Sequence, residues 1–425
     1  SGLSEEELKQ VTVVMVEEGR HALALLSAAR FDHPAKKLVM IGVTGTKGKT
    51  TTTHMIRAIL LAAGKKVGMI GTTGTVIGNV VTPTLNTTPE SYELHQAFAQ
   101  MVEAGCEYAV MEVSSQGIKM HRTDGLYFNY AIFTNISPDH IGPGEHADFE
   151  EYLYYKTRLL NMCGIGLVNK DDKHAPQIIK AANCELCTYS EESKEADFVA
   201  SDIRYVSQPD FVGTEFHISG KYDMEVRLGI PGLFNVVNAL AAVSVCSFLG
   251  LDQARISHAL ENIRVNGRME IVYTSERCTV LVDYAHNAVS MESLLSTLRD
   301  YKPKRLVCVF GCGGNRSKDR RYSMGEIGGK MADLSIITAD NSRYEKVEDI
   351  IADIRGSIEK TGGKFIEIPD RREAIRYSIL HAQPGDMVAV IGKGHEDYQE
   401  INGVRHHFLD REVIEETVKE LGEKA

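Results

Sequence analysis

No run of about 18 uncharged apolar residues occurs in this 425-residue chain, so no stretch has the length a membrane-spanning helix needs. The first residues, Ser1-Gly-Leu-Ser-Glu-Glu-Glu7, lack the basic-then-apolar pattern of a secretory leader, and the expected location is cytoplasmic. Basic runs are missing too. A formal charge of −11 argues against nonspecific binding to nucleic acid or an acidic membrane; the partners to expect are small molecules. Eight cysteines are spread from Cys106 to Cys312, and a chain of this size needs no disulfide staples, so reduced thiols are expected. Cys184-Glu-Leu-Cys187 has no second pair to complete a structural zinc site. Internal repeats and low-complexity segments are also absent.

What the chain does have is 43% apolar and 25% charged residues, enough for two or three globular domains. Its organising stretch is Ile41-Gly-Val-Thr-Gly-Thr-Lys-Gly-Lys-Thr50. Leu38 to Val43 reads as an apolar strand, and Thr50 opens a helix carrying Met55, Ile56, Ile59, Leu60 and Ala63 on one face until Gly64. Between them Gly45, Thr46, Lys47 and Gly48 form a loop whose main-chain amides can wrap a phosphate. Lys49 supplies a point charge, and Thr50 offers a hydroxyl to Mg²⁺, with Thr51 following. The strict G-x-x-x-x-G-K-[ST] spacing is not met, because its first glycine would fall at Val43.

From Lys37 onward strand and helix patterns alternate. Strands are expected at 67–70, 108–112, 130–133 and 166–169, and helices at 91–104 and 149–162, which points to a mostly parallel sheet covered on both faces. Residues 200–227 read as an antiparallel annex, and 231–249 as a helix. A second alternating block starts near Val280, with strands at 305–310, 334–338, 364–368 and 387–391. The expected fold is α/β: a helical lead over 1–36, a central phosphate-loop ATPase domain over 37–265 and a Rossmann-like domain over 266–425. In the lead, Val16, Ala22, Leu23, Leu26 and Ala29 give a partial apolar stripe.

Glu112 ends an apolar strand and is placed to face the phosphate loop, where its carboxylate can join Thr50 on Mg²⁺. Asp139-His140 follows another strand end. Lys156, by helical periodicity alone, is a surface lysine.

Ten segments in order carry a resemblance: Gly45–Thr50, Asn86–Glu90, Glu112–Ser115, Thr134-Asn135 with Asp139-His140, Asn235–Asn238, Gly267-Arg268, Asp283–Asn287, Gly311–Arg316, Asp340–Arg343 and Gly392–Glu396. The chain resembles the Mur ligase family from about residue 16 to its end. That resemblance implies an ATP-dependent, ADP-forming ligase of peptidoglycan synthesis that phosphorylates a carboxylate and lets an amine displace the phosphate. It implies catalytic roles for Lys49, His140 and Lys156. Thr50, Glu112, His140 and a carbamylated Lys156 would be the Mg²⁺ ligands. An ammonium with a reference pKa of about 10.4 cannot ligate a cation, whereas its carbamate can.

By the same resemblance Asn235, Asn238, Arg268, Asp283, Tyr284, His286 and Asn287 are expected on ATP, and Thr87, Thr88, Ser114 and Arg122 on a UDP-sugar peptide. Arg316, Asp340, Asn341, Arg343, Gly392 and Glu396 are expected around the incoming diamino acid. Arg343, a planar guanidinium, suits the second carboxylate of meso-diaminopimelate, which lysine lacks; lanthionine would offer the same groups. The chain is expected to act as a monomer. Departures from the family pattern are Gln116 for His, Met120 for a polar residue, Ser342 and Ala288 for Pro, and a long loop after His140. Relatives also carry a UDP-sugar-holding domain ahead of the phosphate loop, where only the short lead stands here. The alternatives are a ligase with a different carboxylate acceptor, like folate polyglutamate synthase, and a nucleotide-binding paralogue without catalysis.

Overall fold

The structure, a computed structural model, describes residues 14–422 and, ahead of them, Ser4, Glu6, Gln10 and Thr12. The rest of the expected helical lead, residues 1–3, 5, 7–9, 11 and 13, lies outside the described residues. The chain divides into two compact units, residues 1–189 and 190–425.

The first unit runs α1 (Gly19–Arg30), β1 (Val39–Thr44), α2 (Lys49–Ala62), β2 (Val67–Gly71), β3 (Gly74–Ile77), β4 (Val80–Thr82), α3 (Ser91–Glu103), β5 (Tyr108–Glu112), α4 (Ser115–Lys119), β6 (Phe128–Phe133), α5 (Phe149–Thr157), β7 (Cys163–Asn169), α6 (Ala175–Ala181) and β8 (Glu185–Ser190). Its strands lie in the order β8-β7-β6-β1-β5-β2-β3-β4, parallel from β8 to β2, with β3 and β4 added as an antiparallel meander. The apolar strand around Ile41 is central because Met40, Ile41 and Val43 are fully buried, each worth about 1.5–3 kcal/mol.

In α1 the buried face is Ala24, Ser27 and Ala28, while Leu23 and Leu26 stay exposed. Small side chains let α1 lie against α3, so the stripe of larger residues in the sequence points elsewhere. The helix expected over 149–162 ends at Thr157 and tightens into a 3₁₀ turn, Arg158–Asn161.

The second unit runs β9 (Phe198–Gln208), β10 (Phe211–Gly220), β11 (Met224–Leu228), α7 (Leu233–Phe248), α8 (Gln253–Glu261), β12 (Glu270–Thr274), β13 (Cys278–Asp283), α9 (Ala288–Asp300), β14 (Arg305–Phe310), α10 (Lys318–Met331), β15 (Leu334–Ile337), α11 (Val347–Thr361), β16 (Phe365–Glu367), α12 (Arg371–Leu380), β17 (Asp386–Ile391), β18 (Tyr398–Ile401), β19 (Val404–His407) and α13 (Asp410–Glu420). The expected annex is the antiparallel set β9-β10-β11. The second sheet has the order β12-β13-β17-β14-β15-β16, parallel apart from the β12 edge.

Val280, Val282, Val307, Val309, Val388 and Val390 fill that sheet's core, the near-continuous valine pattern of parallel strands covered on both faces. At its heart Arg371 holds Asp410 through two bonds of 2.7 and 2.6 Å, both side chains wholly buried. The same guanidinium donates to the carbonyl of Ile391, the last residue of β17, at 3.0 Å.

Candidate functional site

The parallel register sets the carboxyl ends of three strands level: Val43 pairs with Glu112 and Thr44 with Phe133. Everything that follows those ends therefore surrounds the loop 45–48. Gly45 has φ 145°, and a Cβ there would lie 1.9 Å from Thr134 Oγ1; Gly48, with φ 85°, precedes α2.

The loop is pinned from β6's end. Thr46 N donates to Asn135 O and Lys47 N to Asn135 Oδ1, both at 2.9 Å, while Thr134 Oγ1 donates to Lys47 O at 2.7 Å. With the loop's shape held from outside, its amides are preorganised for an anion at a helix N-terminus. Lys49 Nζ lies over the loop, donating to Gly45 O at 2.9 Å and Thr46 O at 3.1 Å. Thr51 is buried on α2.

Glu112 is 1% exposed and accepts from Thr50 Oγ1 at 2.9 Å, Thr72 N at 2.9 Å and Thr72 Oγ1 at 3.2 Å. A buried carboxylate beside a hydroxyl on the phosphate side is an oxygen donor pair suited to Mg²⁺. Thr72, in the β2–β3 turn, carries no signal in the sequence beyond its place after Gly71.

The four acceptor candidates cluster at the end of the same strand. Thr88 Oγ1 donates to Glu112 O at 3.0 Å and accepts from Ser114 N at 2.9 Å, and Arg122 donates to Thr88 O at 3.1 Å. Thr87 meets Thr72 through their hydroxyls at 3.1 Å. Ser114 Oγ caps α4 by accepting from Gly117 N at 3.0 Å.

Lys156 departs from the surface reading that periodicity alone gives. It is 2% exposed, with Nζ donating to Gly45 O at 2.7 Å and lying 4.7 Å from the Tyr152 ring centre. Burial, and then the charge of Lys49, push its amine well below the ordinary lysine range.

His140 lies at φ 53° and is exposed, its Nδ1 3.1 Å from Glu145 Oε1. The loop it opens closes on itself, Gly142 N to His146 O and His146 N to His140 O, both at 3.0 Å. His146 is fully buried between the Tyr152 and Tyr155 rings, its Nε2 2.9 Å from Ser115 Oγ. It seats the loop that His140 opens, a place in the fold that no sequence pattern marks.

In the second unit, a cavity of about 400 Å³ gathers Arg316, Asp340, Asn341, Arg343, Gly392 and Glu396, the six residues expected around the amino acid. Gly392 has φ 113°, and a Cβ there would stand 2.8 Å from Asp340 Oδ2. Asn341 Nδ2 donates to Glu396 Oε2 at 3.0 Å, and its Oδ1 accepts from the buried Lys393 at 3.2 Å. Arg343, at φ 51°, donates to Gly314 O at 2.7 Å and pairs with Glu400 at 3.3 Å.

Tyr284 and His286, expected on ATP, line this same cavity, and Tyr284 Oη donates to Glu396 at 3.3 Å. Cys312, inside the Gly311–Arg316 segment, lines it as well, and so do Arg320 and Tyr398, which belong to none of the ten segments. Asp283 accepts from Met269 N and Ala285 N, both at 2.8 Å, which fixes the turn beside Arg268; the Arg268 guanidinium lies 4.8 Å from the Tyr284 ring. Asn287 caps α9 through Ser290 N at 3.0 Å. Asn235 and Asn238 are buried on α7; Asn238 Nδ2 donates to Asn235 Oδ1 at 3.2 Å, and Asn235 Nδ2 donates to Pro231 O at 2.7 Å.

A phosphate loop with a strand-end carboxylate in one α/β unit, and an amino-acid-sized charged cavity in another, define an ATP-using ligase. The chain belongs to the Mur ligase family: residues 43–246 match the Mur ligase middle domain and residues 267–394 the Mur ligase glutamate ligase domain. Members of this family are ATP-dependent ligases that use Mg²⁺.

Among relatives, the UDP-N-acetylmuramoyl-L-alanyl-D-glutamate–2,6-diaminopimelate ligase of Caldanaerobacter subterraneus subsp. tengcongensis is 40% identical over 416 residues, covering 96% of this chain and 84% of its own. The ligase of the same name from Clostridium botulinum is 40% identical over 417 residues, covering 97% and 84%. A solved structure of a ligase with this name superposes with a TM-score of 0.74 at 32% identity, covering 95% of this chain and 84% of its own. Folylpolyglutamate synthase of Mycobacterium tuberculosis shares the fold, with a TM-score of 0.67 at 18% identity, covering 88% and 92%. Among the described residues no helix is long and apolar enough to cross a membrane.

Proposed function

We propose that this chain joins meso-diaminopimelate to UDP-N-acetylmuramoyl-L-alanyl-D-glutamate, converting ATP to ADP and phosphate. The observation that carries the substrate choice is the 400 Å³ cavity, where Arg316, Arg320 and Arg343 stand with Asp340 and Glu396. Three guanidiniums and two carboxylates in one space complement a diamino diacid better than lysine, which has one carboxylate fewer. Arg343 takes the distal carboxylate and Glu396 the ammonium on the same carbon.

The reaction runs in two steps. A carboxylate oxygen of the acceptor attacks the γ-phosphorus of ATP and ADP leaves; the amine then attacks the acyl carbon, phosphate leaves, and the amine proton passes to solvent. The loop amides of 45–48 and Lys49 hold the phosphates and neutralise charge as it moves, with no protein nucleophile required. Thr87, Thr88, Ser114 and Arg122 orient the acceptor at the end of β5. Arg268, Asp283, Tyr284, His286, Asn287, Asn235 and Asn238 serve the nucleotide.

Mg²⁺ would be held by Thr50 and Glu112, and by His140 with Lys156, and would supply charge neutralisation at the γ-phosphate. Lys156 is carbamylated in this reading: its amine attacks CO₂, forming an N–C bond and releasing one proton, and leaves an anionic oxygen ligand. Its burial beside Lys49 supports this, because a neutral amine is the nucleophile the reaction needs. The functional division near residue 265 is supported by the two family segments, 43–246 and 267–394. Eight free thiols suit a cytoplasmic site of action.

The test is phosphate release measured with acceptor and amino acid varied separately. Release that requires both UDP-N-acetylmuramoyl-L-alanyl-D-glutamate and meso-diaminopimelate is expected. Equal stimulation by lysine, or by a folate acceptor with glutamate, would overturn the assignment.

A further inference from the structure

Away from the phosphate loop, three side chains from two segments of the first unit meet at one point. His21 on α1 places Nδ1 2.6 Å from Asp124 Oδ2, and His121 places its Nδ1 2.7 Å from the same oxygen. The three atoms lie within 4.8 Å of one another. His121 stands in the left-handed region, φ 57°, a backbone cost at a non-glycine residue that turns its ring toward Asp124 instead of outward. The two rings cross at 77° with centres 6.2 Å apart, so they meet at the nitrogens and not by stacking.

We propose that His21, His121 and Asp124 bind a divalent transition ion of the Zn²⁺ class, clamping α1 to the 121–124 turn. Two imidazole nitrogens and one carboxylate oxygen form a donor set that such an ion favours and that Mg²⁺, which prefers oxygen, does not. The arginines next to the two histidines in sequence are already paired: Arg20 and Arg122 both meet Glu90, at 2.5 and 2.7 Å. His21 is 50% exposed and Asp124 17%, which leaves the solvent side open for water to complete the coordination. Metal–ligand bonds of about 2.0–2.1 Å set tetrahedral ligands roughly 3.3 Å apart, so the present contacts must open by about 0.7 Å. His21, half-exposed, is the side chain that would make that movement. In the present contacts each Nδ1 donates to the Asp124 carboxylate. On binding, each Nδ1 proton passes to solvent and the ring carries a proton on Nε2, which a neutral ring takes up from solvent, so neutral rings release none in net.

None of the three side chains takes part in the chemistry proposed above, so this site stands or falls separately. The experiment uses the chain without any affinity tag, stripped by chelator and titrated with ZnCl₂ by calorimetry, with CoCl₂ absorption reporting geometry. One ion per chain, a rise in melting temperature, and the intense visible bands of a low-symmetry Co²⁺ site are expected. His21→Gln and Asp124→Asn should each weaken that binding roughly tenfold or more and remove the thermal shift. His21→Gln sits on an exposed helix face, so its fold is retained. Unchanged affinity and stoichiometry in both variants, or no binding by the parent chain at 100-fold metal excess, would overturn the proposal.

Discussion

Lys156 Nζ lies 2.7 Å from the main-chain oxygen of Gly45, 111 residues away, inside the first unit's core. A helix lysine is thereby bonded to the phosphate loop. Lys156→Ala removes both that bond and the proposed carbamate, and phosphate release should fall about a hundredfold. Added short-chain carboxylate should recover part of it. Full activity in the variant would take Lys156 out of the site.

In the proposed reaction Arg343 reads out the amino acid. Its guanidinium is partly committed to Gly314 O and Glu400, which holds it against the cavity. Arg343→Ala should weaken diaminopimelate by about 2–5 kcal/mol while the KM for ATP barely changes. Steady-state kinetics with each substrate varied decides it, and equal effects on both would refute the role.

His146 should act through His140. With the ring removed in His146→Ala, the loop 140–146 loses its bond to Ser115 and its seat between two tyrosines. The Mg²⁺ concentration for half-maximal activity is expected to rise about tenfold, with the KM for diaminopimelate unchanged. A Mg²⁺ titration with no shift would make His146 a packing residue only.

Asp410 and Arg371 form a pair with no solvent access. Asp410→Ala strands a buried guanidinium and should cost about 3–5 kcal/mol in urea unfolding. Replacing both by apolar residues of similar size should cost less than the single change. A single variant within about 0.5 kcal/mol of the parent would show the pair to be dispensable.

His95, on α3, is buried with neither ring nitrogen hydrogen-bonded among the described residues. Burial, then the charge of His33, lowers its pKa to about 4. Because the folded value lies below the unfolded one, its contribution is intact above about pH 6.5 and is lost as pH falls toward 4, by up to about 3 kcal/mol. Thermal melts from pH 7 to 4 should show His95→Leu losing less stability than the parent chain. Parallel curves would contradict it.

The sequence by itself determined the phosphate loop, the strand–helix alternation, the antiparallel annex and the family. Each of these is written locally: glycine spacing, apolar period, and motifs in fixed order. The family resemblance also named six residues that the fold brings to one cavity, among them Asp340–Arg343 and Gly392–Glu396, which follow the ends of neighbouring parallel strands. Tertiary structure alone decided burial and partnership. Periodicity sees one helix at a time, so it sends Lys156 to the surface and Leu23 and Leu26 to the core. The packing of α5 beneath the phosphate loop and the close fit of α1's small residues reverse both. Likewise Thr72 on Glu112, His146 on Ser115 and His21 beside Asp124 join residues 31 to 103 positions apart. No local pattern encodes such pairs, because what makes them is the meeting of chain segments that only the folded sheet and its connections bring together.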